Sequence, residues 1–148
     1  MRVLVDTNIL SRVSQKRHSH SRIAEIALQA LWAADHELRI VPQVLYEYWA
    51  VASRPVENNG LGIPLNVVAA DVDRFKTLFS VLRDERGLLE PWQKISLDYN
   101  VSGKQAHDAR LVAAMHRHGL THLLTFNIAD FKRFSGITIL DPEVVARE

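Results

Sequence analysis

Acidic and polar side chains directly follow the first apolar run of the chain. The opening segment MRVLVDTNIL places Asp6, Thr7 and Asn8 immediately after the apolar letters VLV. A short buried strand that ends in a turn explains this pattern, because Asp and Asn side chains bond to nearby backbone groups. An acid at a strand end is also well placed for catalysis, so the other acids of the chain decide between these interpretations.

Two further acids lie on the apolar faces of predicted helices. Glu47 shares its helical face with Val44 and Val51. Asp108 lies in the same way beside Val112. A solvated acid normally lies on the opposite side of an amphipathic helix. Because an isolated buried carboxylate is costly unless it is paired or binds a metal ion, both acids need a partner.

Each of these acids also has a structural interpretation. Glu47 and Asp108 could pair with an arginine, such as Arg54 or Arg110. Asn127 and Asp130 have the pattern of an N-cap followed by an acid in the first helical turn, which the helix dipole favours. That helix would still place Asp130 at the same edge of a sheet as the first acid.

Convergence of these carboxylates would need a positive charge, because like charges raise one another's pKa. The chain has no cysteine, which excludes disulfides and thiolate zinc sites. Oxygen ligands without thiolates suit Mg²⁺ or Mn²⁺. Such a site can activate water and stabilise the charge that develops during phosphodiester cleavage.

The composition is that of an ordinary globular protein. The 148 residues predict one domain over 1–148, and the formal net charge of +1 leaves only a local basic patch for binding nucleic acid. The N-terminus has no signal-peptide pattern, and no apolar run approaches the roughly 20 residues that span a bilayer. We therefore expect a soluble protein of the cytoplasm.

Hydrophobic periodicity predicts strands that alternate with helices. The predicted strands are 2–5, 38–41, 88–89, 123–126 and 137–140. The predicted helices are 23–34, 44–52, 68–82, a segment that opens at Pro91, 102–118 and 130–134. Ser102 is the predicted cap of the helix 102–118, and Gly119 is predicted to end it. Loops are predicted at 14–22 and, as a flexible loop, at 54–66. This alternation predicts an α/β fold with a mostly parallel sheet covered on both faces. Sites in such folds form outside the carboxyl ends of the strands, where Asp6 and Asn127 lie.

Four segments of the sequence, taken in order, resemble the PIN-domain family, and especially the VapC-like toxins of bacterial and archaeal toxin–antitoxin systems. They are VLVDTNIL, VLYEYWAV, QAHDARLVAAM and LLTFNIADF, which together span nearly the whole chain. The resemblance implies a three-layer α/β/α sandwich and an endoribonuclease that depends on Mg²⁺ or Mn²⁺. By position, the metal-binding and catalytic roles fall on Asp6, Glu47, Asp108 and Asp130, and the supporting polar roles on Asn8, Thr125 and Asn127.

The resemblance also implies partners. These are an RNA substrate, a small antitoxin protein and a second copy of the chain, for which the apolar helix surface near Trp49 and Phe75 is a candidate interface. Lys16, Arg17 and Arg22 in SQKRHSHSR could bind RNA phosphates, or could belong to a solvated loop.

Other functions fit the residues less well. A phosphatase of the haloacid-dehalogenase type needs a second Asp where Asn8 stands, and the chain lacks a Gly-rich phosphate loop. A non-catalytic PIN-like scaffold that binds RNA or protein remains an alternative, although a scaffold has no need to keep like charges together. A ribonuclease without an antitoxin would have the same sequence features.

Overall fold

A computed structural model describes all residues 1–148, and its centre is a five-stranded sheet. The strands are β1 (Arg2–Val5), β2 (Glu37–Ile40), β3 (Ser80–Val81), β4 (His122–Leu124) and β5 (Thr138–Leu140). Their order across the sheet is β3-β2-β1-β4-β5, and every pairing is parallel. The prediction of an α/β fold with a mostly parallel sheet is therefore confirmed.

Eight α-helices flank this sheet. They are α1 (Thr7–Ser14), α2 (Ser19–Ala33), α3 (Pro42–Ser53), α4 (Leu65–Leu78), α5 (Leu89–Asp98), α6 (Gln105–His118), α7 (Ile128–Phe131) and α8 (Pro142–Val145). Helix α1 packs against α2 and α3, while α5 packs against α6. No helix is long and apolar enough to cross a membrane.

Strand β1 occupies the middle of the sheet and the centre of the core. Val3, Leu4 and Val5 are completely buried, as expected for a central strand covered on both faces. The strand order changes direction here, since β2 and β3 lie to one side of β1 and β4 and β5 to the other. The carboxyl ends of β1 and β4 therefore meet at a topological switch point, where α/β folds place their sites.

The third strand of the sheet differs from the prediction. The predicted strand at 88–89 is wrong, because Leu88 and Leu89 begin α5. The helical stripe predicted to reach Leu82 stops at Leu78, and the sheet continues through Ser80 and Val81. Leu82 donates its backbone N–H to Ile40 O at 2.8 Å, and its apolar side chain packs against the core.

Helix ends were predicted with mixed success. Gly119 ends α6 in the left-handed conformation with φ of 67°, as its lack of a Cβ allows. Ser102 does not cap α6, whose first residue is Gln105. The loop predicted at 14–22 is confined to 15–18 by α1 and α2, and neither α1 nor α8 was expected. The turn predicted at Asp6 is the N-cap of α1.

Candidate active site

The carboxylate of Asp6 lies buried at the junction of β1 and β4. Its Oδ1 accepts the backbone N–H of Thr7 at 2.7 Å, the bond that caps α1. Its Oδ2 accepts the hydroxyl of Thr125 at 2.8 Å and lies 3.3 Å from the amide Nδ2 of Asn8. These neutral donors fix the position of the carboxylate and leave its charge uncompensated.

Asn8 ties the ends of the same two strands together. Its Nδ2 donates to Thr125 Oγ1 at 3.0 Å, and its Oδ1 accepts the backbone N–H of Phe126 at 3.1 Å. The backbone N–H of Asn127 also donates to Thr125 Oγ1, at 3.0 Å. The three supporting polar residues predicted from the sequence thus meet here. Asn127 does so through its backbone, and its side chain makes no cap bond to α7.

Two residues that sequence reasoning missed hold Glu47. The hydroxyl of Thr7 donates to Glu47 Oε2 at 2.9 Å, and Gln43 Nε2 donates to Glu47 Oε1 at 2.7 Å. The buried Gln43 amide also donates to His107 O at 2.8 Å and accepts a bond from Arg110 at 2.8 Å. A signal for Gln43 existed in the sequence, since it lies one helical turn before Glu47 on the same face.

Asp108 lies in the first turn of α6, half-buried and without a hydrogen bond or ion pair from its side chain. Asp130 lies in α7, exposed to solvent and close enough to Asp108 to raise its pKa. The prediction that Arg54 or Arg110 pairs with the helical acids is wrong. Arg110 contacts Asp84 at 3.6 Å and the Gln43 amide, and Arg54 forms no ion pair.

Burial and mutual repulsion perturb two of the acids. Burial raises the pKa of Asp6 to about 7, against the lowering effect of its hydrogen bonds from Thr125 and Thr7, and the charges of Glu47 and Asp108 raise it further. Burial likewise raises the pKa of Asp108 to about 6, with Asp130 and Glu47 adding to the shift. Acids whose pKa is raised this far by burial and by neighbouring charges are typical of functional sites.

An open cleft of about 580 Å³ joins three of the predicted acids. Its walls include Asp6, Glu47 and Asp108, and among the supporting residues Asn8 and Asn127. Asp130 is not part of the wall. The cleft lies outside the carboxyl ends of β1 and β4, as the sequence predicted for the site.

The donor set of this cleft fits a hard divalent cation. Its acids offer only oxygen ligands, repel one another and lack an ion-pair partner. As the side chains stand, no group of three or more His, Cys, Asp or Glu residues is close enough to hold a metal ion together. Binding one ion between Asp6, Glu47 and Asp108 therefore requires these side chains to move towards each other.

The predicted RNA-binding residues differ in their surroundings. Lys16 pairs with Glu25 at 2.6 Å, and Arg22 contacts the same carboxylate at 3.5 Å. Arg17 is exposed and forms no ion pair. Two of the three cations are thus partly neutralised within the protein.

The sequence matches the PIN-domain family model over residues 3–137, nearly the whole chain. The chain belongs to the PIN-domain family. No curated protein matches the sequence.

Solved structures with this PIN fold include toxin–antitoxin complexes. The DNA-bound VapBC2 complex from Rickettsia felis matches with a TM-score of 0.72 at 17% identity, over 95% of this chain and 98% of that chain. The DNA-bound VapBC complex from Salmonella typhimurium matches with a TM-score of 0.69 at 18% identity, over 96% of this chain and 98% of that chain. VapC20 from Mycobacterium tuberculosis, a toxin that cleaves the sarcin–ricin loop, matches with a TM-score of 0.64 at 16% identity. The match covers 91% of this chain and 98% of that chain.

Proposed function

We propose that this protein is a metal-dependent endoribonuclease that cleaves RNA phosphodiester bonds, and that it is the toxin of a toxin–antitoxin pair. The observation that carries the proposal is the cleft in which Asp6, Glu47 and Asp108 face one another without an ion-pair partner. Its position at the switch point of a PIN fold supports the same conclusion.

The acids have distinct roles in this proposal. Asp6 and Asp108 are the main ligands of Mg²⁺ or Mn²⁺, Glu47 binds directly or through water, and Asp130 contributes from the rim. The metal ion, when bound, would lower the pKa of water and neutralise charge on the phosphoryl oxygens. Asn8, Thr125 and Asn127 keep Asp6 in place through the bonds between the ends of β1 and β4.

Glu47 is the candidate acceptor of the proton from the attacking water. Thr7 and Gln43 each donate to one of its oxygens, which orients the carboxylate and leaves lone pairs on both oxygens. A general base must lie within hydrogen-bond reach of the proton it takes, and these two bonds limit how far the Glu47 carboxylate can turn.

The proposed partners follow from the family and from the surface. A small antitoxin is proposed because several structural relatives are toxin–antitoxin complexes. For a homodimer, Trp49 is 40% exposed and suits an interface, whereas Phe75 is buried against Tyr48, so its part in the predicted interface was wrong. We also propose that residues 1–148 form a single domain that acts in the cytoplasm.

Cleavage of structured and unstructured RNA by the purified protein tests the proposed activity. The assay is run with Mn²⁺, with Mg²⁺ and with EDTA, beside Asp108→Asn and the exposed control Asp98→Asn on α5. Cutting that requires metal, is lost in Asp108→Asn and persists in Asp98→Asn supports the proposal. Metal binding without cutting of any RNA would favour the non-catalytic scaffold.

A further inference from the structure

We infer that Arg12 and Arg54 form a phosphate-binding site inside the cleft, which holds the RNA backbone beside the bond to be cut. The inference rests on the proposed function, since it names how that cleft takes its substrate. The acids alone repel a polyanion. Both arginines line the same cleft as Asp6, Glu47 and Asp108.

Arg12 is a half-buried cation with an unused donor. Its side chain donates to Gln15 Oε1 at 2.6 Å, while its Nε is buried and has no hydrogen-bond partner. No carboxylate lies within ion-pair distance of its guanidinium. The Nη2 group of the same guanidinium makes no hydrogen bond within the protein. It can therefore donate to an anionic oxygen in the cleft, the acceptor that a guanidinium binds best.

Arg54 lies at the C-terminal end of α3 with its charge free of ion pairs. At a rise of about 1.5 Å per residue it is roughly 10 Å along the helix from Glu47. Arg12 is about 8 Å along α1 from Thr7 by the same measure. Helix C-termini favour cations, and this explains why both residues are charged. It does not explain why both line the same cleft. Their distances along the helices from the acids suit binding of the phosphate groups on either side of the phosphate that is cleaved.

The segment after Arg54 builds the wall beside it. The loop predicted at 54–66 ends at Leu65, where α4 begins, and three of its backbone N–H groups bond to the last turns of α3. These bonds are Leu61 to Val51 O at 3.0 Å, Gly62 to Arg54 O at 2.9 Å and Ile63 to Ala52 O at 2.9 Å. A Cβ at Gly60 would lie 2.0 Å from Arg54 O, so only glycine allows this close approach. The wall and Arg54 are thus held as one unit.

A second surface depression adjoins the cleft, and further basic side chains line it. It shares Gln15, Gly60 and Leu61 with the cleft and adds Lys16 and Arg17. Arg17 has no ion pair. A continuous path therefore runs from the acids, past Arg12 and Arg54, to Arg17. Arginine binds phosphate with two parallel hydrogen bonds, so this path fits the backbone of single-stranded RNA.

RNA binding in the absence of cleavage tests the inference. The binding of a labelled single-stranded RNA is measured in EDTA with Asp108→Asn as the parent, across a range of salt concentrations. Arg12→Gln and Arg54→Gln are added singly, with Arg117→Gln as the control of equal charge change. Arg117 is exposed at the far end of α6, about 13 Å along the helix from Asp108.

We expect each arginine-to-glutamine variant in the cleft to weaken RNA binding about tenfold. The slope of the logarithm of the binding constant against the logarithm of the salt concentration should become shallower by about 0.7, the value for one lost phosphate contact on a single strand. Arg117→Gln should change neither. Arg12→Lys and Arg54→Lys keep the charge and should lose less affinity, which also shows that an effect is not due to misfolding. Cleft variants that bind RNA like Arg117→Gln would overturn the inference.

The same samples separate this inference from the proposed function. RNA cleavage by the wild-type protein with unchanged RNA binding in both cleft variants would refute the arginine site alone. Arginine-dependent RNA binding by a protein that never cleaves would support the site and refute the endoribonuclease.

Discussion

The hydroxyl of Thr7 donates to the carboxylate of Glu47 at 2.9 Å, and Thr7 directly follows Asp6. One residue therefore fixes the position of one acid relative to another across the contact of α1 with α3. The backbone N–H of Thr7 bonds to Asp6 and its side chain bonds to Glu47. The first turn of α1 is thus part of the site.

Replacement of Thr7 by Val tests this link. Thr7→Val keeps the shape of the side chain but removes the donor, so Glu47 is oriented by Gln43 alone. We expect the cleavage rate constant to fall about tenfold, which corresponds to roughly 1.4 kcal/mol, near the lower end for a hydrogen bond to a charged group. Thr7→Ser keeps the hydroxyl and should retain most of the activity. Equal rates for the two variants would contradict the role of this bond.

Gln43 joins α3 to α6 through two hydrogen bonds, one to His107 O and one from Arg110, and it also donates to Glu47 on its own helix. Gln43→Met removes the donor to Glu47 and His107 O and the acceptor for Arg110, which breaks three partly buried hydrogen bonds. We expect the free energy of unfolding, measured by urea titration, to fall by about 1–3 kcal/mol. The exposed Gln93→Met on α5 is the control and should change it little. A loss as small as that of the control would refute the structural role of Gln43.

Neutralising an acid should stabilise the protein when metal is absent. Asp108→Asn removes a charge that raises the pKa of Asp6 and is itself disfavoured by burial. We expect a higher melting temperature than that of the wild type in EDTA at pH 8, and a smaller rise on adding Mn²⁺. A variant that melts below the wild type in EDTA would show that Asp108 stabilises the fold.

The pH dependence of stability follows from the same acids. Asp6 and Asp108 have a pKa of about 7 and about 6 in the folded protein, above the ordinary value of 3.8. The folded state binds these protons more tightly, so their ionisation lowers the free energy of unfolding as pH rises from about 4 to about 7. Urea titrations in EDTA should show a shallower fall for Asp108→Asn. Identical pH profiles for variant and wild type would contradict the raised pKa of Asp108.

Gly60→Ala should disturb the wall of the cleft. The added Cβ would meet Arg54 O at 2.0 Å, so the segment must move away from α3. We expect a loss of about 1–3 kcal/mol in the free energy of unfolding, as for other overpacked sites, with weaker RNA cleavage. Ser102→Ala is the control, because this exposed side chain makes no hydrogen bond and its loss should change the free energy of unfolding little. Wild-type stability of Gly60→Ala would show that the segment adapts without cost.

The acids could be found from the sequence because each breaks a local pattern. Asp6 ends an apolar run, and Glu47 and Asp108 interrupt the apolar faces of two helices. These signals extend over a few residues, which is the range that periodicity describes. The switch point followed from the alternation of strands and helices, since it is a property of the whole class of fold.

The sequence could not reveal the contacts that complete the site. Thr7 and Glu47 are 40 residues apart, and Gln43 and His107 are 64 apart, so their bonds depend on how the helices pack. Strand β3 was missed for a different reason. It has only two residues, both exposed at the edge of the sheet, and therefore shows no alternating pattern. The predicted strand at Leu88 and Leu89 was wrong for a related reason, because two apolar residues are too few to distinguish a strand from the start of a helix.

The central claim is that the acids around Asp6 bind the metal ion that RNA cleavage requires. The most direct test titrates Mn²⁺ into the protein and measures bound metal and RNA cleavage on the same samples, for the wild type and Asp6→Asn. We predict that binding and cleavage rise together in the wild type and are both lost in Asp6→Asn, with circular dichroism unchanged. Cleavage that persists in Asp6→Asn, or that does not depend on bound Mn²⁺, would contradict the claim.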